Sequence, residues 1–139
     1  WSPLSYSKAL YYLAFIALER DELDTALEDI GKALDLEPDH PLLLSERGAI
    51  LSRLGRHEEA LAMQMRALEV RPWAPWRERA KAMRGATVAL IDLHRLDEAE
   101  EMLGRALDLE PDSEAAKQEM AYIQHLRHGG PPAEEYAVQ

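Results

Sequence analysis

The stretch ALDLEPD occurs twice in this chain, at residues 33–39 and again at residues 106–112, and the related stretch ALEVRP occupies residues 67–72. The proline of each copy marks the spacing, since Pro38, Pro72 and Pro111 are separated by 34 and then by 39 residues. Self-similarity at a nearly fixed period indicates a supersecondary unit that stacks on copies of itself. The repetition therefore decides the architecture before any single helix is assigned.

The composition narrows the class of protein further. The 139 residues contain no cysteine and a single phenylalanine, and the formal net charge is −10. Leucine, alanine, glutamate and arginine dominate, which is typical of an all-α domain. The negative charge argues against nucleic-acid binding, because phosphate contacts need a basic surface. The longest uncharged apolar run, residues 9–18, is too short for a membrane span, which needs about 20 residues.

The copies align when each proline is set at position 32 of a 34-residue unit, which gives repeats at residues 7–40, 41–74 and 80–113. Small residues then coincide at positions 20 and 27 of every copy; they are Ala26, Ala60, Ala99, Ala33, Ala67 and Ala106. This pattern resembles the tetratricopeptide repeat family. The resemblance covers residues 7–113 and implies an all-α, right-handed superhelical solenoid of three helix–turn–helix repeats.

The hydrophobic periodicity predicts seven helices. They are expected near residues 5–20, 22–36, 41–53, 57–70, 75–92, 96–109 and 113–127. We assign residues 1–128 to the repeat array, with 113–127 as its capping helix, and residues 129–139 to a linker-like C-terminal tail. Asp21 is expected to cap the second helix. The five residues inserted at 75–79 are expected to lengthen the fifth helix at its start.

Two positions of the second repeat depart from the repeat pattern. Arg47 and Gln64 stand where apolar residues are expected, which predicts a local distortion of this repeat. Next to the insertion, Trp76 is expected to continue the core stripe and Trp73 to fill the joint between repeats. A contact of Trp73 with another protein is the alternative.

In the resembled family, the first helix of each repeat lines a concave groove that meets the ligand. The corresponding residues here, with Arg77 added from one turn earlier on the same face, are Lys8, Tyr11, Tyr12, Phe15, Ser45, Glu46, Ala49, Arg77, Lys81, Arg84 and Val88. The aromatic members are suited to bury apolar side chains, and the cluster of Arg77, Lys81 and Arg84 is suited to a carboxylate. Alternatively, the aromatics pack internally or against a missing preceding repeat, and the basic strip is a solvated face.

A more specific ligand class is not supported. Family members that clamp the C-terminal carboxylate of heat-shock chaperones carry Lys, Asn, Asn, Lys and Arg at five groove positions. Those positions here hold Tyr11, Phe15, Glu46, Lys81 and Gly85. Only Lys81 matches, and Glu46 would repel a carboxylate.

The resulting expectation is a non-catalytic scaffold that binds a protein or peptide in its groove, without metal or cofactor. His57 lacks the second histidine of a zinc helix, and no catalytic constellation is recognisable. One alternative is a self-associating module, a homodimer formed through the apolar residues 9–18 or the C-terminal tail. Another is a regulatory or targeting domain of a larger enzyme, because position 1 is Trp1 rather than methionine. The compartment stays open, with the cytoplasm weakly favoured.

Overall fold

The computed structural model describes residues 3–129, and within this range it consists of seven helices joined by short turns. They are α1 (Pro3–Glu19), α2 (Leu23–Leu36), α3 (Pro41–Arg53), α4 (His57–Glu69), α5 (Trp76–Asp92), α6 (Leu96–Leu109) and α7 (Glu114–His128). The predicted all-α solenoid is confirmed. No helix in the described range has the length and apolar character needed to cross a membrane. The predicted tail beyond Gly129 lies outside the described residues.

Helix pairs form the repeats, and the pairs stack in chain order. The helices α1 and α2, α3 and α4, and α5 and α6 pack closely within each pair, while α3 also packs against α5. The six alanines that define the repeat are all buried. Because alanine has a small side chain, helix axes can approach closely at these positions, and larger side chains such as Ile30, Leu44 and Leu103 fill the remaining interior.

The turn inside each repeat uses the left-handed backbone conformation at the same repeat position. Asp21, Gly55 and His94 have φ values of 58°, 79° and 60°. The prediction that Asp21 caps α2 is therefore wrong, since Glu22 occupies the cap position without a side-chain hydrogen bond to the helix. Glycine adopts this conformation without steric cost, whereas Asp21 and His94 are held in it by the flanking helices.

The inserted residues lengthen α5, as expected. This helix has 17 residues against 13 in α3, and Pro75 occupies its N-cap position. Four additional residues extend the helix by about 6 Å. Trp76 begins the extension, and 47% of its surface is exposed. The expectation that Trp76 continues the core stripe is therefore wrong.

The second repeat is regular despite Gln64, because this side chain has hydrogen-bond partners in the interior. Gln64 is 2% exposed; its Oε1 accepts a hydrogen bond from Ser45 Oγ at 2.8 Å, and its Nε2 donates one to the Ser45 carbonyl at 3.0 Å. Gly48 and Gly85 face the amide from α3 and α5 and leave the room it needs. The predicted distortion is absent from α3 and α4, each of which is one uninterrupted helix.

Candidate functional site: the concave groove

The helix α1 carries a broad apolar surface that no other described element covers. Five large side chains on it are about half exposed: Tyr6, Tyr12, Leu13, Phe15 and Ile16. On a helix of 3.6 residues per turn they occupy one continuous arc, opposite the buried Ser7 and Ala14. This arc includes Tyr12 and Phe15, which are two of the predicted groove residues.

A cavity of about 320 Å³ opens between α1 and the start of α3. Three predicted groove residues, Lys8, Tyr11 and Tyr12, line it from α1, where steps of three and four residues place them on one side of the helix. The other lining residues are Ser7, Glu37, His40, Leu42 and Leu43. The cavity combines apolar walls with several polar groups, a composition typical of small binding sites.

Tyr11 lies within the electrostatic reach of charged groups on the first helices of the other two repeats. It shares a small crevice with Phe15 of α1 and Glu46 of α3, and its ring contacts the Tyr12 ring edge to face, with centroids 5.7 Å apart. Burial raises the pKa of Tyr11, and the Glu46 carboxylate raises it further, whereas the Lys81 ammonium on α5 lowers it. The structure therefore brings together predicted residues from α1, α3 and α5.

The predicted basic strip is largely engaged by contacts within the protein. Lys81 Nζ lies 2.5 Å from Glu46 Oε1, and Arg84 Nη2 lies 2.7 Å from Glu119 Oε1 on α7. The Arg77 guanidinium sits 5.2 Å from the ring centre of Trp76. Two of the three charges are thus already paired, which reduces the attraction of this strip for an external carboxylate.

The remaining predicted residues divide by exposure. Ala49 and Val88 are exposed, whereas Ser45 is buried and bonded to Gln64. Ser45 therefore contributes to packing in this structure. The sequence analysis did not predict Glu37 and His40 of the cavity wall. Both lie in the turn between α2 and α3, whereas in the resembled family the ligand-contacting positions are on the first helix of each repeat.

The comparisons with known proteins agree with this geometry. A family model described as tetratricopeptide repeat matches residues 41–111, just over half of the chain. The chain belongs to the tetratricopeptide repeat family. Two of the solved tetratricopeptide domains that it resembles hold a peptide of another protein, in one case from HSP90 and in the other from HSP70.

Individual relatives place the resemblance over most of the chain. The small glutamine-rich tetratricopeptide repeat-containing protein 2 of Mycosarcoma maydis is 29% identical over 105 residues, which are 76% of this chain and 28% of that protein. The Sgt2 tetratricopeptide domain from Aspergillus fumigatus has a TM-score of 0.78 at 26% identity, and the similarity covers 91% of this chain and 85% of the Sgt2 chain. The first tetratricopeptide domain of Spaghetti (RPAP3), solved with the HSP90 peptide SRMEEVD, has a TM-score of 0.80 at 24% identity. The similarity covers 88% of this chain and 93% of that domain.

These relatives set limits on what similarity implies. The chain spans little more than a quarter of the length of the Mycosarcoma maydis relative. At 24% identity, the likeness to the Spaghetti domain concerns the fold alone. The homodimer considered as an alternative has no support among these relatives.

Proposed function

We propose that this domain binds an extended segment of a partner protein along the concave groove, with an apolar side chain of that segment in the cavity between α1 and α3. The cavity of about 320 Å³ carries the proposal, because it is open to a ligand and walled by Tyr11 and Tyr12. Exposed aromatic side chains are enriched where protein interfaces gain most of their affinity. Phe15, 54% exposed and next to the cavity along α1, extends this apolar surface.

The charges of the groove favour an internal segment of the partner over a free C-terminus. Binding a terminal carboxylate at the basic strip needs unpaired cations, but the Lys81 ammonium is held by Glu46 and the Arg84 guanidinium by Glu119. A carboxylate that entered here would have to displace Glu46 and would then lie next to its negative charge. The HSP90 peptide bound to the Spaghetti domain ends in such a carboxylate, so we expect this chain to bind a different class of segment.

A selection experiment tests the proposal with the whole chain as bait. Peptides are selected from a displayed random library, and the dissociation constants of the selected peptides are measured by fluorescence anisotropy. Tyr12→Ala and Phe15→Ala should each raise Kd about tenfold, since truncating an aromatic anchor typically costs 1 kcal/mol or more. Ile16→Ala is the matched control, because Ile16 is 47% exposed on the same helix but lines neither the cavity nor the crevice beside Tyr11.

The nature of the peptide terminus gives a second, independent result. We expect peptides with an amidated C-terminus to bind as tightly as those with a free carboxylate, and SRMEEVD to compete poorly. A requirement for the free carboxylate would overturn the proposal. Equal losses for Ile16→Ala and Phe15→Ala would show that the ligand covers the outer side of α1 and avoids the groove.

A further inference from the structure

Three arginines gather outside the groove, around the loop that joins α4 to α5. Arg71 lies in this loop, Arg79 in α5 and Arg105 in α6. The Arg79 guanidinium lies 3.6 Å and the Arg71 guanidinium 4.5 Å from the ring centre of Trp73. Burial lowers the pKa of Arg79, and repulsion from Arg105 and Arg71 lowers it further. Three positive charges therefore share one part of the surface.

These charges are not balanced by ion pairs within the described range. The ion pairs recorded between residues 3 and 129 involve other cations, such as Arg66 with Asp39 and Arg95 with Glu98. Arg79 donates instead to the Leu68 carbonyl at 3.4 Å, and Arg105 contacts the sulfur of Met102 at 3.8 Å. In a chain with 26 acidic and 16 basic residues, an unpaired arginine cluster is a local exception.

An apolar slot leads into this cluster. A cavity of about 220 Å³ lies between α4 and α6, and Arg105 belongs both to its wall and to the cluster. Its other lining residues are Leu61, Met65, Leu90, Arg95, Glu98, Glu101 and Met102. Arg95 and Glu98 neutralise each other at 2.7 Å, which leaves Glu101 as the acidic group of the wall. The methionines can adapt their shape to different apolar side chains.

We propose that this surface, the arginine slot, binds a second ligand: an acidic, extended peptide segment that carries apolar side chains. The apolar side chains enter between Leu61, Met65 and Met102, and the carboxylates reach Arg105 and then Arg79 and Arg71. From residue 98 to residue 105, α6 rises about 10 Å, which equals about three residues of extended peptide. Two apolar residues at positions i and i+2, followed by acidic residues, match these dimensions.

The chemistry of the slot separates this ligand from others. Guanidinium groups bind carboxylates in a fixed, paired geometry, and they attract an acidic segment despite the negative charge of the whole chain. A nucleic acid would satisfy the arginines but would leave the apolar slot empty. The arginine slot is also separate from the concave groove, since none of its residues lines the cavity of α1.

Direct binding to designed probes tests the proposal. The fluorescein-labelled peptide GLELEEEG is titrated with the full chain and followed by anisotropy, with GAEAEEEG as the probe that lacks apolar anchors. We expect GLELEEEG to bind, GAEAEEEG to bind at least tenfold more weakly, and salt to weaken both, because the charges on this surface are exposed to solvent. Arg71→Gln combined with Arg105→Gln should raise the Kd of GLELEEEG about tenfold or more.

Two control variants show whether a loss of binding in the double variant comes from the arginine slot. Arg66→Gln removes an exposed arginine of α4 that is bonded to the loop of the first repeat, and it should leave the Kd unchanged. Phe15→Ala, in the groove, should also leave it unchanged. Circular dichroism establishes that the double variant stays folded, which is expected because neither Arg71 nor Arg105 is buried.

Four results would overturn the proposal. These are an unchanged Kd for the double variant, loss of binding by Phe15→Ala, and binding of a uridine oligonucleotide through the same arginines without binding of GLELEEEG. The fourth is binding that appears only after residues 130–139 are deleted, which would identify the acidic tail of this chain as the occupant.

Discussion

Replacement of Gly85 by alanine provides a direct test of how the second and third repeats are joined. A Cβ atom at Gly85 would lie 2.7 Å from Cδ of Gln64, closer than real Cβ atoms approach other atoms. Gln64 cannot retreat easily, because its amide is bonded to Ser45 and its other side already faces Gly48, where a Cβ would lie 2.9 Å away. The new methyl group therefore forces the amide out of its hydrogen bonds.

The size of the expected change in the free energy of unfolding follows from the hydrogen bonds and packing that Gly85→Ala disturbs. Two internal hydrogen bonds are worth about 1 kcal/mol each, and crowding in a packed interior costs about 1 kcal/mol more. Alanine is favoured over glycine inside a helix by about 1 kcal/mol, which offsets part of this loss. We expect Gly85→Ala to lower the free energy of unfolding by about 2 kcal/mol.

Urea unfolding followed by circular dichroism at 222 nm measures this change. If the wild-type protein and the Gly85→Ala variant have the same m-value, their free energies of unfolding can be compared directly. Gly104→Ala is the matched control, since Gly104 lies inside α6 with nothing near its Cβ position, and it should raise the free energy of unfolding by about 0.5–1 kcal/mol. In a Gln64→Ala background, Gly85→Ala should no longer destabilise. Equal effects of Gly85→Ala and Gly104→Ala in the wild-type background would refute the reasoning.

Three further predictions concern the groove, the last helix and the turns. Glu46→Gln should lower the pKa of Tyr11 towards about 10, measured by phenolate absorbance at 295 nm, because the neighbouring carboxylate is removed while burial remains. Since the folded-state pKa of Tyr11 is raised, its contribution to stability is present below about pH 10 and is lost as the pH rises through its titration. Glu119→Gln should lower the free energy of unfolding by about 1 kcal/mol, because it breaks the half-buried pair with Arg84. His94→Gly should raise it by up to about 1 kcal/mol, because glycine adopts the left-handed turn without strain.

For each of these three predictions, one result would contradict the physical reason given for it. An unchanged tyrosine titration in Glu46→Gln would mean that burial alone acts on Tyr11, and Tyr11→Phe identifies which titration step belongs to it. Full stability of Glu119→Gln would mean that the pair with Arg84 is as well solvated as a surface pair. A loss of stability in His94→Gly would show that the His94 side chain contributes more than its backbone strain costs.

The fold was predictable because its determinants recur in the sequence. The repeated alanines and the prolines set the helix pairs, and the predicted helix bounds match the observed ones at half of the helix ends and differ by one or two residues at the others. Asp21 was misassigned because a short polar side chain before a helix is compatible both with a cap and with a left-handed turn. Only the backbone conformation distinguishes the two.

The site was harder to predict, because it depends on which side chains meet. Repeat positions assigned both Tyr11 and Glu46 to the groove, but they could not show that Lys81 is already bonded to Glu46. Gln64 was read as a defect because the sequence alone does not reveal that Ser45 is its partner. Contacts between distant positions decide both cases, and a single sequence carries no record of them.

The buried amide of Gln64 also distinguishes the repeats from one another during folding. The second helices of the first and third repeats end in the same four residues and are followed by the same three, so an array held by alanines and leucines alone could assemble in the wrong order, a known failure of repeat proteins. The positions that correspond to Gly85 hold Tyr12 in the first repeat and Glu46 in the second, and neither leaves room for the amide. A mispaired stack would place a larger side chain against the Gln64 amide and press it away from Ser45, and this cost favours the one order in which α4 lies between α3 and α5.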